Sequence, residues 1–138
     1  MSYLLDTNVI SEHTRPKPDA AVVKWLRSIP IAEQYMSVLT LGEVRYGIDR
    51  LTSGARREGL RRWLDTDVVV LFADRLLPIT AGVAERWVRL RLEAGRSVPA
   101  VDSLIAATAL HHDLRLVARN ACDFAHFPGL VVVNPWEM

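Results

Sequence analysis

Apolar residues along the chain alternate between short strand-like runs and longer stretches with helical spacing. Five short runs have the length and the β-branched or aromatic content of strands. Because strands and helices alternate over short connections, the pattern predicts a mostly parallel sheet with helices on both faces. The predicted fold class is therefore α/β, with three α/β/α layers. The predicted strands span residues 3–5, 34–38, 76–79, 115–118 and 130–133.

Helix boundaries are predicted from capping residues. Asp19, Thr40 and Thr80 each precede an apolar-periodic stretch and are favoured N-caps, and Gly95 suits a C-cap. The β-branched run 68–72 fits either a strand or the end of a buried helix, and periodicity does not decide between them. The predicted helices span about 8–14, 19–28, 40–51, 53–65, 80–95 and 103–111.

The composition is that of a globular protein without disulfides or membrane spans. A chain of 138 residues with 50% hydrophobic residues and a mean hydropathy of +0.12 fits one globular domain, residues 1–138. No apolar run approaches the length of a membrane span, and the N-terminus does not have the pattern of a signal peptide. The single cysteine, Cys122, excludes an internal disulfide and a cysteine-rich zinc site. A cytoplasmic location is expected by default.

Charge adds a weaker indication. The net charge of +1 is small for a dedicated nucleic-acid scaffold. However, 15 of the 17 basic residues are arginines, and they cluster at 56–62 and 86–96. Arginine binds phosphate through paired hydrogen bonds. The same clusters also fit ordinary solvated helix faces, so this interpretation stays open.

Two acidic residues near the start of the chain are candidate site residues. Asp6 follows the first strand, and the carboxyl ends of parallel strands commonly form ligand sites. It would equally fit as a helix cap. Glu43 has Gly47 one helical turn away and follows Gly42, which leaves open space beside its carboxylate. The alternative is a surface glutamate that pairs with an arginine.

Two later acids complete a candidate set. Asp102 begins the apolar helix and could simply cap it, and Asp123 follows the strand 115–118 and could simply form a turn. In a parallel sheet all four acids would share one edge. Close carboxylates repel one another by about 4 kcal/mol per pair at an effective dielectric near 20, so such a cluster persists only if some of the acids are protonated or a cation neutralises them. Oxygen ligands favour Mg²⁺ or Mn²⁺, which can activate water against a phosphodiester.

The chain resembles the PIN-domain ribonucleases of the VapC/FitB type, over nearly its whole length. The resemblance rests on four strings, YLLDTNVIS, SVLTLGEVRYGI, VDSLIAATAL and LVARNACDF. It implies a metal-dependent endoribonuclease that leaves a 5′-phosphate and a 3′-hydroxyl. The implied acidic quartet is Asp6, Glu43, Asp102 and Asp123, with support from Asn8 and Asn120. One departure is Ala118, where such proteins often have a hydroxyl residue.

The same resemblance implies partners. These are an RNA substrate, a homodimer, and a small antitoxin that carries a DNA-binding segment and inhibits the enzyme. The four histidines are interpreted as structural or surface residues. The main alternative is a binding module without catalysis, whose acidic pocket receives a basic residue from a partner. A receiver domain or a dehalogenase-like phosphatase is disfavoured, since the only lysines are Lys17 and Lys24.

Overall fold

Five parallel strands form the centre of the molecule. The computed structural model describes residues 1–138 and places the strands in the order β3-β2-β1-β4-β5. Each strand lies where the sequence predicts one, although some predicted runs extend one or two residues beyond it. The predicted α/β class is confirmed. The strands are β1 (Tyr3–Leu5), β2 (Gln34–Ser37), β3 (Leu76–Leu77), β4 (Arg115–Val117) and β5 (Val132–Val133).

Seven α-helices connect and cover these strands. The β-branched run at 68–72, which the sequence left ambiguous, is helical: a π-helical segment, Trp63–Val68, joins α4 to α5. No helix is long and apolar enough to cross a bilayer. The helices are α1 (Thr7–Glu12), α2 (Ala20–Ser28), α3 (Val38–Asp49), α4 (Ala55–Arg62), α5 (Val69–Leu71), α6 (Ala81–Ala94) and α7 (Ala100–His111).

Three predicted caps are confirmed. The Asp19 side chain accepts hydrogen bonds from two amides in the first turn of α2, and Thr80 accepts one from Val83 at the start of α6. Gly95 ends α6 with a φ of 64°, in the left-handed region that glycine adopts at little cost. These local signals fix helix ends because each satisfies backbone groups that the helix itself leaves unpaired.

Two predicted helix starts are wrong. Ser37, not Thr40, caps α3, and its hydroxyl accepts from the Leu39 amide at 3.1 Å. The strand β2 runs directly into α3, so the cap is the last strand residue and Thr40 is buried inside the helix. Pro99, not Asp102, stands at the N-cap of α7. Asp102 therefore lies in the first turn, with its side chain available for another role.

The core consists of two hydrophobic layers, one on each face of the sheet. Adjacent residues of β1 point to opposite faces, so Leu4 packs into one layer and Leu5 into the other. The first layer includes Leu90 of α6 and Ile105 of α7. The second includes Val22 of α2, together with residues of α1 and α3. This arrangement confirms the predicted three layers.

Candidate active site

Asp6 stands at the carboxyl end of the central strand β1. Its amide donates to the Val117 carbonyl at 2.9 Å, which ties it to the end of β4. Its carbonyl accepts from Val9 and Ile10 at the start of α1. Asp6 thus occupies the N-cap position, but its side chain forms no capping hydrogen bond. Capping of α1 therefore does not explain why an acidic side chain stands at this position.

The electrostatics of Asp6 show that the other acids are near. Burial raises the pKa of the Asp6 carboxyl to about 6, and the negative charges of Glu43, Asp102 and Asp123 contribute to the rise, while the Thr7 amide opposes it. Burial also raises the pKa of Asp102, again with contributions from Asp123 and Glu43. Glu43, Asp102 and Asp123 therefore lie within electrostatic range of Asp6, as the parallel topology predicts.

Glu43 faces this edge from α3. Its carboxylate is exposed and accepts a hydrogen bond from the Thr7 hydroxyl at 2.9 Å, which fixes one of its two oxygens. A side chain built at Gly42 or Gly47 would meet no atom within 4 Å, so the predicted open space is real. No arginine pairs with Glu43, and the simple surface ion pair is excluded.

Asp102 and Asp123 come from the second half of the chain, on α7 and in the turn that follows β4. Asp102 is half-buried in the first turn of α7, where the amide ends of the helix favour a negative charge. Asp123 is exposed in a short 3₁₀ turn, Ala121–Phe124, and its amide donates to the Asn120 carbonyl at 3.0 Å. The turn that the sequence allowed for Asp123 is present, and it directs this residue toward the strand ends.

His126, interpreted from the sequence as a structural or surface residue, lies near Asp102 in the structure. Its positive form would lower the pKa of Asp102, so its ring lies near that carboxylate. Its Nε2 atom is buried and has no hydrogen-bond partner, and its ring packs against Phe127. Only its position three residues after Asp123 could have indicated this, and that signal is too weak to use alone.

The two predicted supporting residues, Asn8 and Asn120, form no side-chain hydrogen bonds that would define a role. Asn8 and Asn120 are exposed, and neither side chain is in a hydrogen bond. Ala118, which follows β4, is fully buried, and its amide donates to the Val133 carbonyl at 3.0 Å. The supporting role of the two asparagines stays a prediction.

The donor set fits a hard divalent cation by its chemistry. The four side chains offer only carboxylate oxygens, which Mg²⁺ and Mn²⁺ prefer. Burial and the neighbouring carboxylates raise the pKa of Asp6 and of Asp102, and no arginine or lysine forms an ion pair with either residue. However, no three acidic, histidine or cysteine side chains lie close enough to hold an ion as they stand. Ligation would therefore require the side chains to move toward a common centre.

We call Asp6, Glu43, Asp102 and Asp123, at the carboxyl ends of the strands, the acidic edge. The fold and the acidic edge together define a known class: the chain belongs to the PIN domain family, whose model matches residues 3–130. Among curated proteins, it is 39% identical over 137 residues to Toxin FitB of Neisseria gonorrhoeae, covering 97% of this chain and 98% of that protein. It is 34% identical over 137 residues to VapC ribonuclease Y4jK of Sinorhizobium fredii, covering 97% of each.

Solved structures show the same relationship. The crystal structure of FitAcB from Neisseria gonorrhoeae has a TM-score of 0.93 at 38% identity and covers 99% of each chain. The structure of FitAB bound to an IR36 DNA fragment also has a TM-score of 0.93, at 37% identity, and covers 99% of this chain and 96% of that one. The predicted family is confirmed.

Proposed function

We propose that this chain is a Mg²⁺-dependent endoribonuclease that acts as the toxin of a toxin–antitoxin module. The observation that carries the proposal is the set of four carboxylates at one sheet edge, where burial and the other three charges raise the pKa of Asp6 to about 6. The names of two similar proteins, a toxin and a ribonuclease, support the same assignment.

Each acidic residue has a role in this proposal. When bound, Mg²⁺ (or Mn²⁺) would activate water and offset charge on the attacked phosphodiester. Asp6 and Asp102 would hold it, and Asp123 would complete the ligand set. Glu43, fixed through one oxygen by Thr7, is placed to orient the attacking water with the other oxygen or to complete the ligands. Cleavage by water would leave a 5′-phosphate and a 3′-hydroxyl.

The proposal includes protein partners. A cognate antitoxin with a DNA-binding segment would inhibit the enzyme, and the toxin would form a homodimer in the cytoplasm. The similar protein FitAB has been solved bound to a DNA fragment, which supports a DNA-binding assembly for this chain as well. Co-purification with the product of a neighbouring reading frame would test the partner.

Cleavage of RNA by the purified chain tests the enzymatic function. We expect cleavage with Mg²⁺, none with EDTA, and none from Asp6→Asn at any metal concentration. The matched control is Asp49→Asn, which removes an exposed carboxylate of α3 that pairs with Arg61 instead of the site. Equal cleavage by wild type and Asp6→Asn would show that this site is not responsible. Absence of cleavage by a folded wild type would favour a binding module whose acids receive a basic side chain.

A further inference from the structure

One face of α3 carries more than the catalytic candidate Glu43. Tyr46, Gly47 and Arg50 follow it at positions i+3, i+4 and i+7, so all four lie on the same side of the helix. All four are exposed, whereas Val44 and Ile48, which point toward the core, are buried. Arg50 stands about 10 Å along the helix axis from Glu43. A linear ligand centred on Glu43 would therefore pass over this face.

Two grooves meet at Glu43. One, of about 470 Å³, is lined by Tyr46 and Arg50. The other, of about 250 Å³, lies between α1, α3 and α4 and is lined by Arg56. Both grooves include Thr7, Glu43 and Gly47. Since no side chain at Gly47 separates them, they form a single track with a guanidinium on each side of Glu43; we call it the α3 track.

The arginines of the α3 track differ from their neighbours. Arg45, Arg57 and Arg61 each form an ion pair with a carboxylate. Arg50 and Arg56 form none, and no side-chain hydrogen bond involves either of them. Their positive charge is therefore available to an anionic ligand, and a guanidinium binds phosphate oxygens through two parallel hydrogen bonds.

Tyr46 adds an aromatic surface to these charges. The residue is 64% exposed, although burial of an aromatic ring is strongly favourable. The Arg50 guanidinium carbon lies 5.6 Å from the ring centroid, which restricts the ring from one side. Exposed aromatic rings beside cations are the usual surface on which single-stranded nucleic acids stack their bases.

We propose that the α3 track binds single-stranded RNA on both sides of the cleaved phosphate, which rests on the function proposed above. Arg50 and Arg56 bind flanking phosphates, and Tyr46 stacks on an unpaired base next to Glu43. The two unpaired guanidinium groups favour an anionic ligand on the track itself, and the phosphate backbone of RNA provides one.

Binding can be measured without cleavage in an Asp6→Asn background. Fluorescence anisotropy with a short, labelled, single-stranded RNA of mixed sequence gives the affinity at several salt concentrations. Arg50→Gln and Arg56→Gln should each weaken binding several-fold and reduce the slope of log K against log salt by about 0.7. Arg89→Gln is the matched control, because Arg89 is also exposed and unpaired but lies on α6, in the other layer.

The aromatic contact has its own variants. Tyr46→Leu should weaken binding about tenfold, whereas Tyr46→Phe, which retains the ring, should bind as tightly as the parent. A structural role for the hydroxyl would instead affect Tyr46→Phe. Circular dichroism and the thermal midpoint of each variant show that the fold is retained.

The outcomes separate this proposal from the function on which it rests. If wild type cleaves RNA but the Arg50, Arg56 and Tyr46 variants bind it like Arg89→Gln, the track is wrong and the nuclease stands. If these variants lose RNA binding although wild type cleaves nothing, the track is supported and the nuclease is wrong. Unchanged RNA affinity together with lost affinity for a co-purified protein would assign the track to a protein partner and overturn the proposal.

Discussion

Carboxylates at the acidic edge have no arginine partner, whereas carboxylates near the contact between α3 and α4 pair with arginines. A hydrogen bond from Arg45 of α3 lowers the pKa of Asp65 in the π-helical segment, and Arg61 of α4 pairs with Asp49 of α3 at 3.0 Å. At the acidic edge, burial and like charges raise the pKa of Asp6 to about 6. The chain contains 15 arginines, but none of them forms an ion pair with Asp6 or with the three acids near it. Carboxylates kept unpaired at a cost to stability indicate a site that awaits a cation.

The largest expected effect comes from removing a charge at the acidic edge while keeping its shape. Glu43→Gln should reduce kcat for RNA cleavage by a factor of about 100 or more, as an order of magnitude for loss of a group that acts in the transition state. Single-turnover cleavage with excess enzyme measures this effect directly.

The matched control for Glu43→Gln is a glutamate of α4 that pairs with an arginine. Glu58→Gln makes the same chemical change to a glutamate that pairs with Arg61 at 3.2 Å and is distant from the acids in the chain. Its cleavage rate should match wild type. A similar loss of activity in both variants would mean that general destabilisation, and not the site, explains the effect.

The second expected effect is on stability. Folding raises the pKa of Asp6 from 3.8 to about 6, so the folded state binds this proton more tightly than the unfolded state. Stability from this group is thus greatest below about pH 4 and is lost as the pH rises through about 6. Asp6→Asn, which resembles the protonated form, should be more stable than wild type above about pH 7, by up to about 3 kcal/mol.

Urea unfolding in EDTA tests this difference. The two proteins should converge near about pH 4, where Asp6 is protonated in wild type, and diverge as the pH rises to about 8. Addition of Mg²⁺ should then stabilise wild type more than Asp6→Asn, because ligands that bind only the folded state raise its stability. A constant difference between the proteins at all pH values would refute the electrostatic explanation.

The smallest effect concerns the position of Glu43. Thr7→Val removes the hydroxyl that donates to Glu43 at 2.9 Å and keeps the shape of the side chain. We expect about a tenfold decrease in kcat with little change in KM, in the range found for residues that orient a functional group. Thr66→Val is the control, since its hydroxyl donates only to the nearby residues Arg62 and Asp67. Thr7→Ser should restore activity if the hydrogen bond is responsible.

The general fold was predictable because its signals are local and repeated. The alternation of strands and helices predicts the parallel sheet, and Asp19, Thr80 and Gly95 mark helix ends through their own backbone or side-chain chemistry. Errors arose where a boundary depends on tertiary structure. Ser37 replaces Thr40 as the cap because β2 continues into α3 without a loop, which periodicity does not reveal.

The site was predictable only in part. Parallel topology brings strand ends to one edge, so the proximity of Asp6, Glu43 and Asp102 follows from the order of the elements. The Thr7–Glu43 hydrogen bond and the approach of His126 to Asp102 depend on the packing of separate turns. Local sequence does not encode such contacts between side chains distant in the chain.

Anomalous diffraction from crystals grown with Mn²⁺ would show directly whether the four acids bind a divalent cation. Glu43, Asp102 and Asp123 lie within electrostatic range of Asp6, but no three acids are close enough to share an ion, so a bound cation should draw them together. We expect one strong anomalous peak at the carboxyl ends of β1 and β4, with oxygens of Asp6 and Asp102 as direct ligands. Crystals in which Mn²⁺ binds only elsewhere, or leaves this edge without a peak, would contradict this expectation.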